Sequence, residues 1–240
     1  MSGIHVLPLE GIPEVREGDD LGALLAAAAD GAGGFEPGDV LVVAQKVVSK
    51  AEGRVVRLAD VEASERALEL AADHDPRQLE VILGEAARLV RTRPPLVIAE
   101  TRHGFVCASA GVDHSNAGEP DTLVVLPLDP DASARALADR LGVGVIVSDS
   151  FGRPFRQGTT DIAIGVAGLP PLLDLRGTRD PTGYELRTTT IAVADEIAGA
   201  AELVMGKTNG VPAAIVRGLR LEGDGTAAEL VMPAERDLFR

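Results

Sequence analysis

The stretch GVGVIVSDSFGRPFRQGTTDIAIGVAG, residues 142–168, carries the reading of the fold. An apolar β-branched run ends at Ser148, a polar Gly-rich loop follows, and Asp161 to Val166 resumes as a strand. Upstream, LVIAE (96–100), GFVCASAG (104–111) and TLVVLPL (122–128) are short β-rich runs at the spacing of a meandering sheet. Further out, VLVVAQKVVSK (40–50) reads as a strand leading into a functional turn, which sets Gln45, Lys46 and Lys50 near a strand end. A last strand is expected near 213–216. Helical apolar spacing marks 21–29, with Asp19 and Asp20 as N-cap candidates, then 64–74, 131–141 and 188–205. It also marks 76–90, with Asp75 as N-cap, Pro76 at the first helical position and Pro94–Pro95 as the stop. LPLEGIPEVREGDDL (7–21) and LRGTRDPTGYEL (175–186) carry too much Gly and Pro for regular structure. No repeat, low-complexity tract or clear linker interrupts the chain. The helices and strands lack a regular βαβ rhythm, so an α+β class is favoured over a Rossmann sheet.

At 240 residues the chain is one large domain or two interlocked smaller ones. Its 45% hydrophobic residues, 25% charged residues and mean hydropathy of +0.14 exclude disorder for most of it. Five Phe, one Tyr and no Trp exclude base stacking as a principal activity, and a net charge of −14 repels phosphate backbones and anionic membranes. Neither nucleic acid nor a membrane is expected as a partner. One Cys excludes an intramolecular disulfide and a CxxC metal knuckle, and no apolar run approaches the ~18 residues of a membrane span. A cytoplasmic location is expected.

Four clusters carry candidate chemistry, three of them with a simpler alternative. Gly206-Lys207-Thr208 has the tail of a P-loop, but Ala201 stands where that motif needs Gly, and the tripeptide leaves a helix instead of opening one. It reads equally as a helix C-cap or as an exposed turn contacting phosphate with Lys207, Thr208 and Asn209. Asp113, His114, Ser115 and Asn116 suit hard-cation or nucleotide contacts, or an Asx-turn. Asp149 and Ser150 offer adjacent hard oxygens at a strand end, followed by Arg153 and Arg156 on a loop suited to anionic substrates. Lys46 and Lys50 lie in an otherwise apolar segment, as phosphate ligands or solvated lysines. His103 and Cys107 fall in a β-like stretch that sets them about 13 Å apart along the strand, which argues against a catalytic pair.

Taken in order, GIPEV, VVAQKVVSKAEGR, HGFVCASAGVDHSN, VSDSFGRPFRQGTTDIAIG, RDPTGYEL, ADEIA and VMGKTNGVPAA resemble the coenzyme F420-0:L-glutamate ligase family across nearly the whole chain. The resemblance implies a single ligase domain over 1–240. Its fold would be α+β, with mixed and antiparallel sheets in two intertwined subdomains that form a butterfly-like homodimer. It implies a GTP-dependent ligase that attaches L-glutamate to the phospholactyl carboxylate of a deazaflavin coenzyme precursor and then a γ-linked glutamate. By motif, Ile12, Pro13, Glu14, Val15, Gln45, Lys50, Asn116, Gly206, Lys207 and Thr208 would contact the nucleotide. Asp113, Asp149 and Ser150 would hold one or two divalent cations, Mg2+ or Mn2+, with a monovalent cation such as K+ also in view. Asp113, Asp149 and Lys50 are the expected catalytic residues; Arg153 and Arg156 are the candidates for substrate anions. Two departures stand out: Gln45 and Ser150 replace an expected Ser and Thr, and no flavin-reductase-like domain follows, so no FMN is expected.

The implied chemistry needs no protein nucleophile. GTP would phosphorylate the precursor carboxylate, and the glutamate amine would attack the resulting acyl phosphate. A same-mechanism ligase for a different acid and a non-catalytic guanine-nucleotide sensor remain the alternatives.

Overall fold

A computed structural model describes residues 3–238. Its centre is a five-stranded sheet built from β1 (His5–Pro8), β2 (Val40–Ala44), β8 (Gly144–Gly152), β9 (Thr159–Ala167) and β12 (Ala213–Arg217), in the order β1-β12-β2-β8-β9. The β2–β8 pair is parallel and every other pairing in this sheet is antiparallel. The parallel pair is aliphatic over Val40–Ala44 of β2 and residues 145–147 of β8, as expected of strands buried on two faces. Leu41, Val42, Val43, Val145, Ile146 and Val147 have no accessible surface.

Helices α1 (Leu21–Gly31), α2 (Gln45–Ala51), α5 (Pro130–Leu141) and α6 (Val193–Met205) accompany this sheet. The Asp20 and Asp129 carboxylates cap α1 and α5 by accepting from the N–H groups of Ala23 and Ala132. A smaller core lies between α3 (Glu65–Ala71), α4 (Pro76–Glu85) and the antiparallel sheet of β4 (Ala86–Arg93), β5 (Leu96–Thr101) and β6 (Val106–Ala108). Two short pairs complete the sheets: β3 (Val55–Arg57) with β7 (Thr122–Val124), and β10 (Leu173–Asp174) with β11 (Thr190–Ile191). The class is mixed α and β with several mixed and antiparallel sheets. No helix among the described residues is long and apolar enough to cross a membrane.

Four boundaries differ from the sequence reading. The expected turn after β2 is the helix α2, in which Gln45 and Ser49 are one helical turn apart and Gln45 Oε1 accepts from Ser49 Oγ at 2.9 Å. The expected helix to Val90 stops at Glu85; Ala86–Arg93 pairs with β5 across the Pro94–Pro95 turn, and prolines end a strand as well as a helix. Strand β8 continues past Ser148 to Gly152, because its polar side chains find partners on β9. The last long helix begins at Val193, not Thr188, since Thr190–Ile191 pairs with β10. The N-terminal loop yields one strand, β1, at its start.

Candidate active site

Parallel strand β2 ends at Ala44, opposite Ser148, so residues 149–152 of β8, still paired with β9, overhang β2. The edge that β2 leaves is open to side chains from elsewhere. Successive strand residues point to opposite faces. Asp149 lies on the side of Asp113 and Lys46, whereas Ser150 turns to Asp161 and Lys207. Around this overhang is a cleft of about 350 Å3, walled by the 12–15 loop, the first turns of α2, Asn116, Asp161 and the segment after α6.

Helix α2 delivers the basic side chains. Lys46 Nζ lies 3.0 Å from Asp113 Oδ2 and 3.2 Å from Ser115 Oγ; Lys50 Nζ lies 2.6 Å from Glu14 Oε1. Gln45 is 1% exposed and donates through Nε2 to Asp113 Oδ2 at 3.2 Å. This fills the place where the family resemblance suggested Ser. From the opposite wall, α6 ends at Gly206 with φ 60°, and Lys207 Nζ donates to Ser150 Oγ. Asn116, at φ 55°, reaches the Lys207 carbonyl with its amide at 3.5 Å. The 206–208 turn is thus both a helix C-cap and a cleft wall.

The sequence contains three lysines, Lys46, Lys50 and Lys207, and all three line this cleft. Every other basic side chain apart from His is Arg. In a chain of net charge −14, this concentrates compact ammonium groups in one place. Burial, followed by the Asp113 carboxylate, pushes the Asp149 carboxyl up to about 7, while the Ser150 N–H and Lys46 pull it back only in part. The Asp113 and Asp149 carboxylates on one side of β8 and the Ser150 hydroxyl on the other are hard oxygens of the kind that suits Mg2+ or Mn2+, with Lys46 holding Asp113 and Lys207 holding Ser150 here. Among the described residues no three His, Cys, Asp or Glu side chains converge on a metal position, so hydroxyl, backbone or ligand oxygens would complete the shell. Lys46 would have to release Asp113 for a cation to bind there.

Ile12, Pro13, Glu14, Val15, Gln45, Lys50, Asn116, Asp149, Ser150, Gly206, Lys207 and Thr208 all line the cleft, and Asp113 reaches it through Lys46 and Gln45. Arg153 and Arg156 do not line it. They sit in the exposed turn between β8 and β9, where Arg153 Nη2 donates to the Gln157 carbonyl at 3.0 Å. Sequence reasoning missed Ser148 and Asp161, which share one face of the hairpin with Ser150. It also missed the lysine count, which composition alone displays. Cys107 is buried, and burial, then Asp149 and Asp113, push its thiol up to about 12. His103 stands in a turn before β6, its Nε2 at 3.1 Å from the Leu128 carbonyl, so no Cys/His pair forms.

The F420-0:gamma-glutamyl ligase family model matches residues 11–218. The coenzyme F420:L-glutamate ligase of Methanopyrus kandleri is 48% identical, the match covering 100% of both chains. That of Methanothermobacter thermautotrophicus is 45% identical over 99% of each chain, and that of Archaeoglobus fulgidus 42% identical over 99% of this chain and 96% of its own. With a cleft that gathers every lysine beside paired carboxylates and a match that runs the length of the relatives, this chain belongs to the F420-0:gamma-glutamyl ligase family.

Proposed function

We propose that this chain is a GTP-dependent ligase that adds L-glutamate to the terminal carboxylate of F420-0 and then extends it by a γ-linked glutamate. The observation that carries the reading is that Lys46, Lys50 and Lys207 line the same cleft as the Asp149–Ser150 segment. Ammonium donors from two walls suit a polyphosphate laid along the cleft, each contact to phosphate oxygens being charge-assisted. Lys50 and Lys207 would hold the phosphates, and the 12–15 loop and Asn116 the nucleoside. Asp113, Asp149 and Ser150 would hold the divalent cation, which when bound neutralises phosphate charge during phosphoryl transfer. K+ is the monovalent ion that this reading carries with it.

The substrate carboxylate attacks the γ-phosphorus as the bond to GDP breaks, which gives an acyl phosphate. The glutamate amine then attacks the acyl carbon, phosphate leaves, and the amine loses a proton. Neither step asks for a protein nucleophile, in keeping with a Cys107 thiol that stays protonated at neutral pH. Arg153 and Arg156 are assigned to anionic groups of the acid substrate outside the nucleotide cleft. A single domain of two intertwined subdomains, assembled as a homodimer, belongs to the same proposal. Incubation with GTP, Mn2+, L-glutamate and F420-0, followed by product mass, tests it. One or two added glutamyl units with matching GDP release are expected. Absence of both from a folded sample would remove the proposal.

A further inference from the structure

Asp161 is 6% exposed, stands opposite Ser150 in the β8–β9 ladder, and belongs to none of the roles assigned above. Its carboxylate takes both neighbouring hydroxyls: Ser148 Oγ donates to Oδ2 at 3.0 Å, and Ser150 Oγ donates to Oδ1. On the far side of Ser150, Lys207 Nζ donates to the same Oγ. An ammonium can only donate and a carboxylate can only accept. The Ser150 hydrogen must therefore point at Asp161, and its lone pairs must face the cleft. Ser148, 1% exposed, occupies the other carboxylate oxygen and keeps the Asp161 side chain from turning.

We propose that Asp161 is a positioning residue: by holding the Ser150 hydrogen it presents Ser150 Oγ to the cleft as a pure acceptor. In this structure the group accepted is the Lys207 ammonium; with nucleotide and a divalent cation present it is the cation, as the proposed role of Ser150 requires. The inference rests on the reading of the cleft as a nucleotide and metal site, but concerns a residue which that reading leaves unused. Asp161→Leu is similar in size and removes both acceptor oxygens. The Ser150 hydrogen then loses its partner on β9 and is free to turn toward the cleft.

The experiment is a double-mutant cycle on Asp161→Leu and Ser150→Ala, read by Mn2+ titration in the presence of GDP and by thermal unfolding. Asp161→Leu is expected to weaken Mn2+ binding at least tenfold while its melting temperature stays within a few degrees of wild type. In the Ser150→Ala background the same change should matter less than about twofold, because the hydroxyl it acts on is gone. Equal losses in both backgrounds, or undiminished Mn2+ binding in the single variant, would overturn the inference. Asp161→Ala, smaller and equally unable to accept a hydrogen bond, supplies the cycle if the leucine variant unfolds early. A wild-type chain that bound neither Mn2+ nor GDP would sink the reading of the cleft and this inference together. Wild-type binding with an unchanged variant would sink the inference alone.

Discussion

Lys50 is a buried ammonium whose partner is not buried: its side chain is 7% exposed, that of Glu14 60%. Removing the lysine leaves a carboxylate that water can solvate; removing the glutamate leaves a charge that water cannot reach. Lys50→Met should therefore unfold later than Glu14→Gln, an ordering that thermal denaturation in chelator checks. On the proposed role, Lys50→Met should also weaken GTP binding or turnover tenfold to a hundredfold, since a hydrogen bond to a charged group contributes about 1.5–3 kcal/mol. Wild-type kinetics in that variant would return Lys50 to a structural role. Cys107 makes the opposite case, a reactive residue type in an inert setting. With its thiol pushed up from 9.0 to about 12, almost no thiolate forms at pH 8, and the folded chain should resist iodoacetamide until denaturant is added. The unfolded thiol ionises near its ordinary value while the folded one does not. Its contribution to stability is therefore complete below about pH 9 and falls as pH rises toward 12, a slope absent in Cys107→Ala. That variant should keep ligase activity within a few-fold. Rapid alkylation of the native protein would contradict the burial argument.

At the scale of elements, the hairpin of β8 and β9 carries the site, and helices α5 and α6 hold its outer strand. Asp195 of α6 accepts from the Ala163 N–H, Asp131 of α5 from Val166, and Asp224 from Gly168, so carboxylates take amides along the outer edge of β9. An edge closed in this way offers little to a strand from another molecule. Helix α5 also approaches β9 at Gly165, where an added Cβ would lie 2.2 Å from the Pro130 carbonyl oxygen. Gly165→Ala should cost about 1–3 kcal/mol, because backbone, not a flexible side chain, stands in the way. Chemical denaturation measures it, and an unchanged midpoint would mean that α5 shifts freely. Much of this element was legible beforehand: the apolar run 143–147, the strand from Asp161, and the helix at 131–141 with an acidic cap. Polarity misled the reading at Ser148–Ser150, because one sequence does not show that Asp161 satisfies those hydroxyls across the hairpin. Val47–Val48 misled it at α2, where tertiary burial of one helical face overrides β-branched propensity. The run LVRTR after α4 has apolar spacing that a helix shares with a strand, and only pairing with β5 decides between them.

Over the whole molecule, charge is distributed in a way that one reagent can read. The chain is strongly acidic, yet its three lysines come from α2 and the turn after α6, far apart in sequence and joined only by the fold. The motif-by-motif sequence reading saw each lysine separately and gave each a solvated alternative. The shared cleft makes a random scatter of surface lysines a poor account of them. An amine-selective acylating reagent applied to the intact protein therefore modifies the cleft and the N-terminus and nothing else. Lys207, in an exposed turn, should react first, and Lys50, with a side chain 7% exposed and held by Glu14, last. GTP with Mn2+ should slow modification of the cleft lysines tenfold or more and leave the N-terminal amine unaffected, as peptide mass mapping would record. The N-terminus serves as internal control, because any change in reagent or pH would move it equally. Protection of Lys46 and Lys50 without Lys207 would place the polyphosphate along α2 alone and remove the turn after α6 from the nucleotide site. Modification of all three at an unchanged rate would mean that the cleft does not hold the nucleotide, however closely the chain follows its relatives.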